Sequence, residues 1–250
     1  MRDAYSEFAS FYDDLMRDVD YRAWACSLDR LLRRFSDEKG TKRIMDCACG
    51  TGEITVRLSR MGYDIIGSDL SADMLRIAQE KAMRSGCRIP FTNQDMRSFS
   101  VHRPLDAVTA CCDGINYLTD PDDVRRFFVS ANRALRPGGL LLFDLSTPYK
   151  LENVLGGNTF GEDTEGCTYI WQNVFDPESR LIEMKLVFFV PDGDRYRRFD
   201  ETHIQRAHSS EELKKLLDET GFTVLGVYDA FTETDADAVS ERNQWIARKN

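Results

Sequence analysis

The strongest constraint on the fold is segment 44–52, IMDCACGTG, in which a short apolar strand runs directly into a glycine turn and then a helix. Gly50 and Gly52 lack a Cβ atom, so the backbone can adopt positive φ there and a ligand can lie directly against it. Asp69 ends the next predicted strand, where a carboxylate can accept hydrogen bonds from both hydroxyls of a ribose. The combination predicts a nucleotide-binding turn, and the alternative is a tight strand-to-helix turn without a ligand.

Strand and helix patterns alternate as far as Ser146. The five predicted strands are separated by helices with one apolar face and cover residues 43–49, 63–69, 89–92, 105–112 and 140–144. Each crossover must cover a face of the sheet and return in the right-handed sense, so these strands form a parallel, doubly wound sheet. Residues 222–228 and 244–248 can supply two more strands. We therefore predict an α/β fold with a mostly parallel, seven-stranded, Rossmann-like sheet.

Beyond Ser146 the pattern changes to alternation with period two. The alternating segments are separated by turn sequences and cover residues 167–175, 181–190 and 195–207. They predict an antiparallel β meander inserted into the α/β unit. The expected parts of the chain are an N-terminal helical lid (1–40), a Rossmann-like core (41–147 and 208–250) and an antiparallel cap (148–207).

Charge and hydropathy exclude several classes of function. The chain has 33 Lys and Arg residues against 42 Asp and Glu residues, for a formal net charge of −9, so it has no general attraction to nucleic acid. No apolar run approaches the roughly 20 residues needed to span a bilayer, and the first residues lead into no signal-peptide core. We expect a cytoplasmic protein with no membrane or nucleic-acid partner.

The seven cysteines are odd in number, and several lie within apolar segments. This usage is typical of reduced, packed thiols rather than of a disulfide framework. Cys47 and Cys49 are separated by one residue, which is not the spacing of common zinc sites, and no matching second pair follows. We therefore predict no metal site.

Several segments together resemble the class I S-adenosylmethionine-dependent methyltransferases. The matching pieces extend over most of the chain and are 46–52 (DCACGTG), 67–71 (GSDLS) with Met74-Leu75, 93–96 (NQDM), 106–118, and 136–139 (RPGG) leading into Phe143-Asp144. Ala48 replaces the first glycine of the family's turn. The opening Tyr5 to Asp13 and the segment 116–118 (NYL) resemble the branch that methylates small molecules, including sugar-amine and glycine N-methyltransferases.

The resemblance implies S-adenosyl-L-methionine as the cofactor and gives roles to the first half of its site. Asp46 would order the turn that ends at Gly52, Ala48 and Gly50 would approach the methionine portion, and Asp69 would hold the ribose.

The other implied contacts are to the adenine and the methionine ends. Asp95 would accept a hydrogen bond from the adenine amino group, and the Met96 N–H would meet a ring nitrogen. Leu70 and Met74 would cover the adenine, although Met74 fits core packing equally well.

The remaining cofactor candidates lie near the methionine portion. Cys112 and Asp113 would lie beside it, Cys112 through its backbone. Tyr5 and Tyr12 share one face of the first predicted helix and would fold over the cofactor; the alternative is that both belong to a core stripe.

Methyl transfer is an in-line displacement, so the protein mainly aligns the reacting atoms and excludes water. An ammonium or hydroxyl acceptor must also lose a proton, for which His203, His208, Asp113 or a tyrosine hydroxyl is available. His203 and His208 have opposite parity along their strand, so at most one should face the pocket. We take His203 and Tyr12 as the catalytic candidates; the alternative for each histidine is a structural or exposed side chain.

Three alternatives remain open at this point. A nicotinamide-dependent oxidoreductase would use the same adenosine edge, but Glu53 occupies the position of its third turn glycine. A non-catalytic module that binds the cofactor or a partner fits the same motifs. The aromatic residues of the meander, Tyr169, Trp171, Phe175, Phe188 and Phe199, either wall a pocket for a small-molecule acceptor or form a homodimer surface.

Overall fold

The computed structural model describes residues 12–13, 15–37, 40–164 and 166–250. Tyr5 therefore lies outside the described residues, as does part of the expected lid. The strands are β1 (Arg43–Cys47), β2 (Asp64–Asp69), β3 (Phe91–Asn93), β4 (Leu105–Ala110), β5 (Leu135–Ser146), β6 (Thr159–Asp163), β7 (Thr168–Asp176), β8 (Leu181–Asp192), β9 (Arg195–Arg206), β10 (Phe222–Asp229) and β11 (Arg242–Lys249). The α-helices are α1 (Tyr21–Phe35), α2 (Glu53–Arg60), α3 (Ala72–Arg84), α4 (Pro121–Ala134) and α5 (Ser210–Glu219).

Seven strands form the main sheet in the order β10-β11-β5-β4-β1-β2-β3. β11 runs antiparallel to both of its neighbours, and the other pairs are parallel. The predicted α/β class and the mostly parallel seven-stranded sheet are confirmed. The order reverses between β1 and β4, and this reversal opens a crevice at their carboxyl ends.

The helices begin where short polar side chains satisfy free backbone N–H groups. Ser71 accepts from Met74 N at the start of α3, Asp120 accepts from Asp122 N at the start of α4, and Ser209 accepts from Glu212 N at the start of α5. α2 has no such side chain; it follows Gly52, whose φ is 77°. The absence of a bulky cap leaves this helix start accessible beside the turn.

Apolar side chains fill both faces of the main sheet. One core contains Phe127, Phe143 and Trp245, and the other contains Trp24 and Leu32 of α1 together with Ile44 of β1 and Ile246 of β11. Trp24 is 4% exposed, as expected for a core residue. These layers fix the strand ends from which the site is built.

The cap is a separate antiparallel sheet in the order β6-β7-β8-β9. It has one strand more than the pattern predicts, because β6 is short and largely exposed and leaves no alternation in the sequence. Phe188 and Cys167 of the cap pack against Met74 of α3, and Ile182 and Met184 pack against a π-helical turn at Lys150–Leu155. The cap thus rests on the carboxyl side of the main sheet.

Candidate functional site

A cavity of about 610 Å³ lies at the carboxyl ends of β1, β2 and β4. Among the described residues, its walls include ten of the side chains and backbone segments predicted for the site: Tyr12, Asp46, Ala48, Gly50, Asp69, Leu70, Met74, Asp95, Met96 and Cys112. Gly52, Asp113 and His203 lie behind the wall. The site therefore forms at the crevice where the strand order reverses, the position where open α/β sheets bind ligands.

The two glycines of the turn, Gly50 and Gly52, have different roles. Gly50 has φ 54°, and a Cβ atom built there meets nothing within 4 Å, so its backbone is open to the cavity. Gly52 has φ 77°, and its Cβ would lie 3.0 Å from the Cβ of Ala78. Gly50 therefore permits close approach of a ligand, whereas Gly52 permits the turn to pack on α3.

Asp69 is held in place by the backbone at the end of β2. Its Oδ2 accepts from Gly50 N and its Oδ1 from Ser71 N, both at 2.8 Å. Burial raises the pKa of Asp69, and the backbone donors oppose that shift. Each carboxylate oxygen has a second lone pair, so the oriented group can still accept hydrogen bonds from a ligand in the cavity.

Asp46 is buried beneath the turn and joins two neighbouring elements. It accepts from Thr55 Oγ1 of α2 at 2.6 Å and from Thr109 Oγ1 of β4 at 2.8 Å. Burial raises the pKa of Asp46 to about 6, against the lowering effect of the two hydroxyl donors. It orders the frame around the turn through these hydroxyls.

Asp95 forms an ion pair with Arg97, a residue that the sequence analysis did not single out. Arg97 Nη2 lies 2.5 Å from Asp95 Oδ2, and Arg97 Nη1 lies 2.8 Å from Asp123 Oδ2. Hydrogen bonding from Arg97 is the main reason that the pKa of Asp95 is lowered. All three side chains line the cavity, so this end presents a fixed carboxylate with its counter-charge already in place.

Tyrosine side chains surround the opposite end of the cavity. Tyr12, Tyr21 and Tyr117 line it together with Cys111 and Cys112. Burial raises the pKa of Tyr12, and nearby Cys112 and Tyr21 add to the shift. The sequence analysis singled out neither Tyr21 nor Tyr117, although Tyr117 lies in the resembling segment 116–118.

His203 does not line the cavity itself but contacts Tyr117, which does. Its Nδ1 lies 3.5 Å from Tyr117 Oη, and the two rings meet edge to face. Burial lowers the pKa of His203 to about 4, and Asp113 opposes the shift, so the imidazole is neutral at neutral pH. His208 is buried elsewhere, with Nδ1 3.8 Å from a carboxylate oxygen of Glu212.

Asp113 is an ion-pair partner rather than an open base. Arg242 Nη2 lies 2.6 Å from its Oδ1, and Gln205 Nε2 donates to its Oδ2 at 2.7 Å. The cationic Arg242 lowers the pKa of Asp113 against the raising effect of partial burial.

The described residues contain no group of three or more His, Cys, Asp and Glu side chains arranged to hold a metal ion. None of the described helices has the length and apolar character required to cross a membrane.

Comparison with known proteins identifies the family. A model described as a methyltransferase domain matches residues 44–139. The chain is 41% identical to the Bacillus subtilis (strain 168) protein named "Putative methyltransferase YqeM", over 98% of this chain and 97% of that one. A crystal structure of an S-adenosylmethionine-dependent methyltransferase from Clostridium acetobutylicum ATCC 824 is 32% identical, covers 98% of this chain and 99% of its own, and superposes with a TM-score of 0.87. The chain belongs to the S-adenosylmethionine-dependent methyltransferases.

A sugar-modifying enzyme is also similar to this methyltransferase. The dTDP-4-amino-2,3,4,6-tetradeoxy-D-glucose N,N-dimethyltransferase of Saccharopolyspora spinosa is 26% identical over 86% of this chain and 85% of its own length. Family membership decides for a methyltransferase over a nicotinamide-dependent oxidoreductase and over a non-catalytic module.

The cofactor of the methyltransferase is S-adenosyl-L-methionine, and the residues present fit it. The cavity volume lies within the range of about 300–1,000 Å³ that is usual for small-molecule sites. Gly50 leaves open the space that any other side chain would fill. Asp69 supplies an oriented acceptor, and Leu70 and Met74 supply apolar surface between it and the Asp95 end.

Proposed function

We propose that this methyltransferase methylates a nitrogen or oxygen of a small-molecule acceptor, with an amine as the favoured class. The observation that carries the proposal is the set of tyrosine hydroxyls around one end of the cavity, with the neutral imidazole of His203 behind them. Aromatic faces attract the ammonium form of an amine, and hydroxyls can orient the lone pair of the neutral form. The similarity to a sugar N,N-dimethyltransferase supports the same class.

The positions of these residues in the cavity wall support the following cofactor roles. Asp69 holds the ribose, Leu70 and Met74 cover the adenine, and Asp95 with the Met96 N–H meets the edge of the base. Asp95 does so with Arg97 already bonded to it, so its orientation is fixed before the cofactor arrives.

The methionine end has a different set of contacts. Ala48, Gly50 and the Cys112 backbone approach the methionine portion, while Tyr12 covers it. Gly52 and Asp113 act indirectly, by fixing the turns on which these groups lie.

When bound, the cofactor supplies a methyl group on a sulfonium sulfur, which is already activated for displacement. The chain therefore needs no covalent nucleophile; its task is to align the acceptor in line with the methyl group and to exclude water. Tyr12 and Tyr117 would contact the acceptor. Burial keeps His203 neutral, so it can accept a hydrogen bond from Tyr117 and turn the hydroxyl oxygen toward the acceptor.

The pKa of His203 decides how much proton transfer it can perform. A base with a pKa of about 4 is too weak to hold the proton of an ordinary ammonium group. The acceptor would therefore react as the free amine, and its proton would leave to water after transfer. His203 would act as a positioning residue for Tyr117.

The decisive experiment incubates the protein with S-adenosylmethionine and a panel of acceptors, and measures S-adenosylhomocysteine. The panel contains free and nucleotide-linked amino sugars, glycine, a catechol and bulk tRNA. Turnover with an amine and none with the other classes is expected. Turnover confined to tRNA or to the catechol would contradict the amine assignment, and the mass of the product locates the methyl group.

The aromatic face predicted as a possible homodimer surface packs inward, so a homodimer would have to use the outer face of the cap. Tyr169 and Phe188 pack inward with Met74, whereas Ile170 and Val174 are exposed on the opposite face. The inner face is therefore packed against α3, none of its described aromatic side chains lines the cavity, and the outer face is left for a subunit contact. Sedimentation of the protein with and without Val174→Lys tests the dimer: wild type should sediment as a dimer and the variant as a monomer.

A further inference from the structure

Two consecutive residues at the end of β4 have left-handed backbone conformations. Cys112 has φ 58° and Asp113 has φ 53°, and neither is glycine. Such residues are rare, and strained backbone tends to occur at functional sites where the surroundings enforce it. Cys112 lines the cavity, so this turn forms part of the cofactor wall.

A buried carboxylate enforces the conformation. Asp144, at 1% exposure, accepts from Cys112 N through Oδ2 and from Asp113 N through Oδ1, each at 2.9 Å. Successive N–H groups that converge on one anion form a nest. Arg242 completes the arrangement, with Nη1 2.5 Å from Asp144 Oδ1 and Nη2 2.6 Å from Asp113 Oδ1.

The cap supplies the last partner of this network. Gln205 of β9 is 4% exposed, and its Nε2 donates to Asp113 Oδ2 at 2.7 Å. The following residue, Arg206, accepts at its backbone oxygen from Asn116 Nδ2 at 2.9 Å. The strand that carries Gln205 is therefore anchored against the same turn that forms the cavity wall.

We propose that Gln205 is a positioning residue that couples the cap to the cofactor cavity. Its hydrogen bond to Asp113 keeps that carboxylate where Arg242 and Asp144 can hold the left-handed turn, and so fixes the wall at Cys112. Without Gln205, Oδ2 of the partly buried Asp113 loses its donor, and the strained turn can relax. Coupling of this kind is reciprocal, so cofactor binding should also order the cap strand.

The chain offers a matched control in Asn173. It is a buried amide on the same face of the cap sheet, and its Nδ2 bonds to the backbone oxygen of Asn158 rather than to the cavity wall. Its row of the sheet passes through Met184 to His203, two rows away from Gln205. Asn173→Ala should loosen the cap by a similar amount without touching Asp113.

The experiment measures S-adenosylhomocysteine affinity by calorimetry and amide hydrogen exchange in residues 201–206. In the wild type, the ligand should slow exchange in this segment. Gln205→Ala should weaken binding roughly tenfold, about 1.4 kcal/mol, and abolish the slowing. Asn173→Ala should bind S-adenosylhomocysteine with an affinity within twofold of the wild type. Its exchange at 201–206 should still slow when the ligand binds.

Several outcomes would overturn the coupling. They are unchanged affinity in Gln205→Ala, equal weakening in both variants, and a wild type that binds the ligand without any change in exchange at 201–206. The last needs no variant, so it holds even if Gln205→Ala does not fold. The proposal rests on the cofactor site; a wild type that binds no S-adenosylhomocysteine would overturn both, whereas binding without coupling overturns this one alone.

Discussion

The two ends of the cavity are formed by different kinds of chemical group. At the nucleotide end, backbone groups and carboxylates at the ends of neighbouring strands are fixed to one another, as in the pair formed by Gly50 and Asp69. At the other end, Tyr12 and Tyr117 come from separate parts of the chain, and His203 comes from the cap. The first end is set by the sheet itself, whereas the second depends on how the cap and the N-terminal segment lie on it.

We expect this difference to separate cofactor binding from methyl transfer. A change at the strand ends should alter cofactor affinity, because those groups are the ones proposed to contact the cofactor. A change at Tyr117, which we propose contacts the acceptor and not the cofactor, should alter turnover and leave cofactor affinity nearly intact. Variants at either end therefore test whether the division is real.

The largest effect is expected for Asp69→Ala. Loss of a charged acceptor for two ribose hydroxyls should weaken cofactor binding by about 3 kcal/mol, roughly 100-fold. Calorimetry with S-adenosylhomocysteine measures it. Asp64→Ala is the control, because Asp64 lies on the same strand but its side chain is 65% exposed and pairs with Arg43. An Asp69→Ala protein with unchanged affinity would remove the ribose assignment.

The nucleotide end was largely predictable because its residues are close in sequence or lie at strand ends. A glycine turn after an apolar strand and a carboxylate at the end of the next strand are local patterns that can be recognised in the sequence alone. The helix starts at Ser71 and Ser209 were predictable for the same reason. β5 was placed too late, since Leu135–Gly139 extend the strand through a sequence that resembles a turn.

The tyrosine end was much less predictable because its contacts join distant segments. Tyr117 and His203 are 86 residues apart, and Arg242 and Asp113 are 129 apart. No periodicity in either segment records such a pairing. Tyr21 occupies a position on an amphipathic helix that satisfies the core pattern, so its place on the cavity wall is visible only once α1 has docked.

The pH dependence of stability should reveal the buried His203 of the cap. Its pKa falls from 6.5 to about 4 on folding, so between these values the unfolded chain binds a proton that the folded chain does not. The free energy of unfolding should therefore decrease as the pH falls through this window, by about 2–3 kcal/mol from this residue. Urea unfolding of wild type and His203→Gln at several pH values measures the difference.

The contribution of neutral His203 to the free energy of unfolding should be present in full above pH 6.5 and lost by pH 4. His203→Gln should show a shallower decrease than the wild type over that window. Asp46 acts with the opposite sign, because its pKa is raised to about 6 and the folded chain holds the extra proton, so Asp46→Asn should steepen the decrease. Parallel curves for wild type and His203→Gln would contradict a buried neutral imidazole.

Tyr117→Phe tests the transfer end directly. Loss of the hydroxyl that orients the acceptor should lower kcat by about 30-fold, near 2 kcal/mol, while cofactor affinity stays within twofold. Tyr196→Phe is the matched control, since Tyr196 lies on the cap at 67% exposure. Equal losses of kcat and cofactor affinity in Tyr117→Phe would mean that the two ends are not separable.

The smallest effect is expected at the turn itself. Ala48 has φ 52°, which costs an L-residue about 1–2 kcal/mol, whereas glycine there costs about 0.5–1 kcal/mol of chain entropy. Ala48→Gly should therefore raise the free energy of unfolding by about 0.5–1 kcal/mol, as measured in urea. Gly50→Ala is the reciprocal change: it should lower stability by a similar amount and also place a methyl group in the open space of the cavity, weakening cofactor binding. A destabilised Ala48→Gly would show that the Ala48 methyl group, which lies beside Gly114, contributes more by packing than the backbone strain removes.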